Sequence, residues 1–289
     1  MDDAPFSGPV GFDDVAARIE ATDLGDEPAT MRRQFARLVL GESAPETSAS
    51  GGEALAVGPE GGGARVVWFH GGGYVFGSPE THRRPAEALA EAVSARVVLP
   101  RYRLAPEHAW PAQRDDALGT VRRLQDAGHA VALAGDSAGG HLALVAALAL
   151  AREGRPALAL ALFSPNTDRT GLSITREANT PRDPMNADAD DRQLARLAFG
   201  DRADSDPEVS PALDDLALLP PTHVEVGARE VLLGDALALV ERAGAAGAEV
   251  SLHVEPGAFH MWQLWTPWLA EADASLGRAA DRLRPHLGA

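Results

Sequence analysis

Gly135-Asp136-Ser137-Ala138-Gly139 lies between a short apolar run, residues 130–134, and a longer one, residues 142–151. That context reads as strand, sharp turn, helix. On a turn of the Gly-x-Ser-x-Gly type the serine is held on strained backbone with its hydroxyl exposed at the sheet edge, and the flanking glycines leave room for close packing. Ser137 is thereby a candidate nucleophile. The pentapeptide alone carries little weight, because 29 of the 289 residues are glycine and an ordinary tight turn with a solvated serine has the same composition. The matter turns on whether the other parts of a nucleophilic site stand elsewhere in the chain.

One such part lies upstream. Val66-Val67-Trp68-Phe69 is rich in β-formers and runs into His70-Gly71-Gly72-Gly73. Glycines after a strand leave backbone N–H groups unobstructed, and a loop of this kind forms half of an oxyanion hole. Gly61-Gly62-Gly63 reads as a flexible linker, whereas the second cluster is followed by Tyr74-Val75-Phe76, and linkers are seldom flanked by aromatic and β-branched residues. His70 precedes the serine and is read as a structural residue that fixes the loop.

In this architecture the acid and base follow the nucleophile in the order Ser, Asp/Glu, His. Five histidines follow Ser137. His141 falls on the first turn of the next helix, His223 and His253 lie within expected strands, and His286 is near the end of the sequence. His260 follows the strand-like residues 250–254 and the turn Glu255-Pro256-Gly257-Ala258, on a loop at a strand's C-terminal end, where sites of α/β proteins form. For the acid, Glu230 and Asp235 compete. Glu230 lies immediately beyond the strand at residues 222–226 and is favoured, while Asp235 opens an amphipathic run and suits a helix cap. The role is to accept the imidazole Nδ1–H and orient the ring, which either carboxylate can do.

Taken together, His70-Gly71-Gly72-Gly73, Tyr102-Arg103-Leu104-Ala105-Pro106-Glu107-His108, Gly135 to Gly140, Ser210-Pro211, Leu219-Pro220-Pro221-Thr222 and the Glu230 and His260 regions resemble the bacterial hormone-sensitive-lipase-like esterases of the α/β-hydrolase superfamily. The resemblance spans about residues 66–265. It implies Ser137 as nucleophile, His260 as base and the acid at the position of Glu230, with Gly71, Gly72 and Ala138 as backbone oxyanion donors. Three departures stand out. Most relatives carry Asp where this chain has Glu230, Met261-Trp262 replace a commoner Gly-Phe after the histidine, and the Gly-, Ser- and Glu-rich stretch before Val66 matches poorly to the two edge strands expected there.

Strands are expected at residues 65–69, 96–99, 131–134, 158–163, 222–226 and 250–254, alternating with helices at 83–93, 114–126, 139–152, 235–246 and 271–283. This alternation implies one α/β domain over residues 1–289, a mainly parallel central sheet with helices on both faces. Residues 158–162 show no polar alternation, as befits a strand buried on both faces. Two segments, about 1–40 and 168–209, fall outside the pattern. The second carries Met185 and a helix-like stretch at 190–198. In relatives such insertions form a small helical cap over the site.

A formal charge of −16 argues against nucleic acid and anionic membrane surfaces as partners. Arg32-Arg33, Arg83-Arg84 and Arg122-Arg123 are accounted for by solvated helix faces. The longest apolar run, residues 142–151, is about half the ~20 residues a spanning helix needs. The acidic start, Met1-Asp2-Asp3-Ala4-Pro5, lacks a basic and then apolar signal, so a cytoplasmic location is the default expectation. Cysteine is absent, which excludes disulfides, and no metal or nucleotide motif occurs, so no cofactor is implied.

The expected activity is serine carboxylesterase chemistry on a small-molecule ester through an acyl-enzyme. Tyr74, Phe76, Trp262 and Trp265 flank the catalytic loops and suggest an apolar, substrate-binding pocket, with core positions as the equal alternative for these aromatics. Family behaviour adds short- to medium-chain acyl esters and lactones as substrates, and homodimers are common among relatives. The alternatives are a small-molecule-binding protein on the same scaffold that does not catalyse, and an amidase.

Overall fold

The computed structural model describes residues 4–45, 47–61 and 63–288. Met1-Asp2-Asp3 of the acidic start and Gly62 of the glycine linker lie outside the described residues. The chain runs α1 (Phe12–Glu20), α2 (Pro28–Leu40), β1 (Gly52–Val57), β2 (Ala64–Phe69), α3 (Arg83–Val93), β3 (Arg96–Arg101), α4 (Ala112–Asp126), β4 (Ala130–Asp136), α5 (Ala138–Arg152) and β5 (Leu160–Phe163). It continues through α6 (Arg176–Asn179), α7 (Asp188–Phe199), β6 (Thr222–Gly227), α8 (Leu233–Ala245), β7 (Val250–Glu255) and α9 (Ala270–Leu287).

Among the described residues, seven strands form one sheet in the order β1-β3-β2-β4-β5-β6-β7. All neighbours are parallel except the edge pair, in which β1 runs antiparallel to β3 with a register shift between Gly52 and Leu55. The expected parallel strands and the helices between them are all present. Before β2 there is one strand among the described residues, not two, and three of the six residues of its GEALAV sequence are exposed.

Alternation along the strands divides the core. Val66, Trp68, Ala132, Ala134 and Phe163 point to one face, where they pack with α3 and α9; Trp68 and Phe163 stack with ring centroids 5.0 Å apart. Val67, Phe69, Leu133, Leu162 and Val224 point to the other, which holds α5. α5 reads AGGHLALVAALALAR, apolar on nearly every side, and is buried over most of its length, as a helix wedged between sheet and neighbours must be. β5 is fully buried.

The strand order fixes where a site can form. From β2 the chain crosses to β3 on one side, then returns to β4 on the other, so the C-terminal ends of β2 and β4 flank the point at which the winding reverses. His70 follows the first of these strands and Ser137 the second. α1, α2, α6 and α7 lie outside the alternating pattern, in the two segments singled out above. Among the described residues no helix is long and apolar enough to cross a membrane.

Candidate active site

Ser137 sits between β4 and α5 at φ 54°, ψ −122°, a region that costs a non-glycine residue energy and persists only where its surroundings impose it. Its N–H donates to the Phe163 carbonyl at 2.9 Å, and its own carbonyl accepts from the N–H groups of His141 and Asn166. The glycines beside it are obligatory. A Cβ on Gly139 would lie 2.0 Å from the Phe69 carbonyl oxygen, and one on Gly135 would lie 2.3 Å from the Gly139 carbonyl oxygen. Helix and strand therefore cross at backbone distance, which is the physical content of the pentapeptide pattern.

His260 Nε2 is 2.9 Å from Ser137 Oγ, and His260 Nδ1 is 3.0 Å from Glu230 Oε2. Glu230 is fully buried. Its other carboxylate oxygen accepts from Ser164 Oγ at 2.7 Å and from the Gly227 N–H at 2.5 Å. These contacts hold the longer glutamate side chain in one orientation toward the ring. Asp235, the competing acid, points elsewhere: it accepts from the N–H groups of Thr167 and Asp168 and pairs with Arg176 at 2.7 Å. Burial pulls the His260 imidazole down, but the hydrogen bond and charge of Glu230, with the charge of Asp183, outweigh it and leave its pKa above the ordinary histidine value.

The loop after β2 is locked by Asp136, the residue before the serine. Its carboxylate accepts from Trp68 Nε1 at 2.8 Å and from the Gly71 N–H at 3.1 Å, and His82 Nε2 lies 3.0 Å from it. Gly71 was expected to supply an oxyanion donor; its N–H is consumed by Asp136, and a Cβ there would fall 2.3 Å from the same carboxylate. The N–H groups of Gly72, Gly73 and Ala138 have no acceptor among the described residues. Gly72 and Gly73 both line the cavity that contains Ser137, and both have positive φ, 114° and 58°. Gly73 is thus a candidate donor that the sequence did not mark, although it closes the same glycine run.

His70 fixes this loop as expected. Its ring stacks on Tyr102 with centroids 4.2 Å apart, and its Nδ1 is 2.9 Å from the Gly71 carbonyl. Burial, then the neighbouring His82, lowers its pKa to about 3, so it is neutral.

The cavity above Ser137 has a volume of about 430 Å³, within the range of small-molecule sites. Its floor includes Gly72, Ser137 and His260, and Phe76 forms part of its wall. Met31 and Leu38 of α2, and Leu194 of α7, close it from the side of the two irregular segments. Three aromatic residues expected on this wall are elsewhere. Tyr74 is 2% exposed, with its hydroxyl 2.6 Å from His141 Nδ1 and its ring against Trp110 and Phe199. Trp262 is fully buried, donating to the Glu271 carbonyl of α9. Both have a core partner that satisfies the polar tip, and neither reaches the cavity. Trp265 is likewise buried.

Asp183 is a further residue of the cavity that the sequence did not mark. It accepts from the N–H groups of Val231, His260 and Met185 at 3.1 to 3.2 Å, tying the loop after Glu230 to that of His260. Burial, reinforced by Glu230 and opposed by His260, pushes its pKa up to about 6. Among the described residues, four of the five non-glycine residues with positive φ are Tyr74, Ser137, Ser164 and Met261, all on loops that build this site.

A family model for the alpha/beta hydrolase fold matches residues 66–264. The chain is 36% identical over 230 residues to an acetyl-hydrolase of Streptomyces hygroscopicus, covering 78% of this chain and 77% of that protein. It is 31% identical over 292 residues to the carboxylesterase/phospholipase LipF of Mycobacterium tuberculosis, covering 97% of this chain and 75% of LipF. Among solved structures, an esterase from the bacterial hormone-sensitive lipase family superposes with a TM-score of 0.86 at 33% identity, covering 96% of this chain and 98% of that one.

Proposed function

Since the chain belongs to the α/β-hydrolase family, among the esterases related to hormone-sensitive lipase, and is a carboxylic ester hydrolase, we propose that it hydrolyses short- to medium-chain acyl esters through an acyl-enzyme on Ser137. The observation that carries this reading is the continuous chain Glu230–His260–Ser137, at 3.0 and 2.9 Å, under a cavity lined by Gly72 and Gly73, whose N–H groups have no acceptor among the described residues.

In the proposed reaction His260 Nε2 takes the Ser137 proton as Oγ attacks the ester carbonyl. The carbonyl oxygen becomes an oxyanion held by the N–H groups of Gly72, Gly73 and Ala138. The imidazolium, stabilised by Glu230, returns its proton to the departing alcohol as the C–O bond breaks. Water then repeats the sequence on the acyl-enzyme, releasing the acid and restoring Ser137. Each oxyanion donor contributes on the order of a hundredfold or more to turnover. The two irregular segments act as the cap: α2 and α7 bound the volume left for the acyl chain. Cyclic esters suit the same site, because ring opening needs no separate exit for the alcohol.

Hydrolysis of p-nitrophenyl esters from acetate to decanoate, with Ser137→Ala alongside, tests this reading. Turnover peaking at short or medium chains and absent from the variant is the expected result. Equal rates from both proteins would overturn it and favour a binding role.

A further inference from the structure

α7 separates two cavities. Ala187, at its N-cap, and Asp190, Asp191 and Leu194, at spacings of three and four, face the cavity above Ser137, whereas Arg192, Ala195, Arg196 and Phe199 repeat the same spacing on the opposite side and line a second cavity of about 260 Å³. Five arginines surround that second space: Arg169, Arg176, Arg192, Arg196 and Arg202. The one carboxylate among its lining residues is Asp204. In a chain of net charge −16 such a concentration of guanidinium groups is conspicuous.

Four of the arginines have carboxylate partners outside this lining. Arg169 and Arg176 pair with Asp191, Arg176 also with Asp235 and Asp188, Arg192 with Asp188, and Arg202 with Asp206 and Glu208. These pairs leave donors over. Among the described residues, Arg169 Nη2, Arg192 Nη1 and Nη2, and Arg202 Nη1 make no hydrogen bond, whereas the unpartnered Nε atoms of Arg169 and Arg176 are sealed from solvent and from the cavity. Arg196 has no ion pair among the described residues and is exposed at the rim.

We infer that the cavity behind α7, bounded by Arg169, Arg176, Arg192, Arg196 and Arg202, is a binding site for a phosphate group, separate from the ester-hydrolysing centre. The guanidiniums approach from three pieces of chain: the segment after β5 with α6, the outer face of α7, and the loop beyond it. A planar carboxylate is satisfied by one guanidinium fork, whereas a tetrahedral group with several acceptor oxygens matches donors arriving from several directions. The volume admits a phosphate ion or the phosphate end of a small monoester. The inference stands independently of the acyl-enzyme reading.

Calorimetric titration of the full chain with inorganic phosphate, and separately with glycerol phosphate, tests it. One saturable site per chain is expected. Arg196→Gln, at an exposed position without a partner, should weaken binding about tenfold or more, the effect of removing one charge-assisted hydrogen bond, with its thermal melt unchanged. Arg192→Gln should weaken it as well. Tighter binding of glycerol phosphate would point to a phosphorylated metabolite, and the reverse order to the free ion; either supports the site. Absence of saturable binding, or equal affinity in wild type and both variants, would overturn it.

Discussion

Glu230 and Asp235 are five residues apart, both buried, and differ in what they meet. If Glu230 orients His260, then Glu230→Gln should lower kcat by on the order of 10⁴-fold with little change in melting temperature, since an amide cannot fix the tautomer that the base needs. Asp235→Asn should do the opposite. It strips a carboxylate from Arg176, at a cost of about 1–3 kcal/mol because Asp191 remains, and it should leave kcat largely intact. A severe kinetic loss confined to the Asp235 variant would reverse the assignment.

If His260 is the base, its raised pKa sets the acid limb of the pH profile. The base must be neutral to accept the serine proton, so kcat/KM should fall as pH drops through a value above 6.5, the ordinary histidine pKa. Asp183 is ionised above about 6 and its charge favours the imidazolium. Asp183→Asn should therefore move the limb to lower pH. A merely structural role for Asp183 would reduce the rate at every pH without moving the limb, and that result would defeat the electrostatic argument.

Among the elements, the approach of α5 to the end of β2 has the least tolerance. Gly139→Ala sets a Cβ against a backbone carbonyl rather than a yielding side chain. The expected outcome is loss of activity together with a drop of several degrees in melting temperature, overpacking in cores costing about 1–3 kcal/mol and backbone contacts more. An active variant with the wild-type melt would show that the two backbones can separate. The same contact explains what the sequence disclosed. The parallel strands and their helices were legible because apolar runs of strand length alternate with amphipathic stretches, and the order serine, acid, histidine follows the strand ends. β1 was not, because an edge strand exposed over half its length has weak patterning. Gly71 and Gly73 look alike in sequence; which N–H is free depends on Asp136, 65 residues away. Tyr74 and Trp262 were misjudged for a similar reason, since an aromatic residue beside a catalytic loop has the same sequence whether it faces the cavity or the core.

Over the whole molecule the charge is −16, and part of it stands at the cavity: Asp23, Asp26 and Asp190 line it and take part in no ion pair among the described residues. A negative mouth repels anionic substrates and is screened by salt, with a Debye length of about 10 Å at 0.1 M. An ester carrying a second, ionised carboxylate should thus show lower kcat/KM than its neutral isostere at low ionic strength, with the gap narrowing as salt is added. A gap insensitive to salt would assign the discrimination to shape.

The carboxylate of Asp136 fastens Trp68 of β2, the loop at Gly71 and His82 to the turn that carries Ser137. On the proposed mechanism, attacking group and anion cradle are therefore mounted on one rigid jig at the sheet's edge, while the walls proposed to measure the acyl chain belong to helices attached around it. A protein engineer can exchange those walls to suit a new substrate and keep the alignment of the reacting atoms.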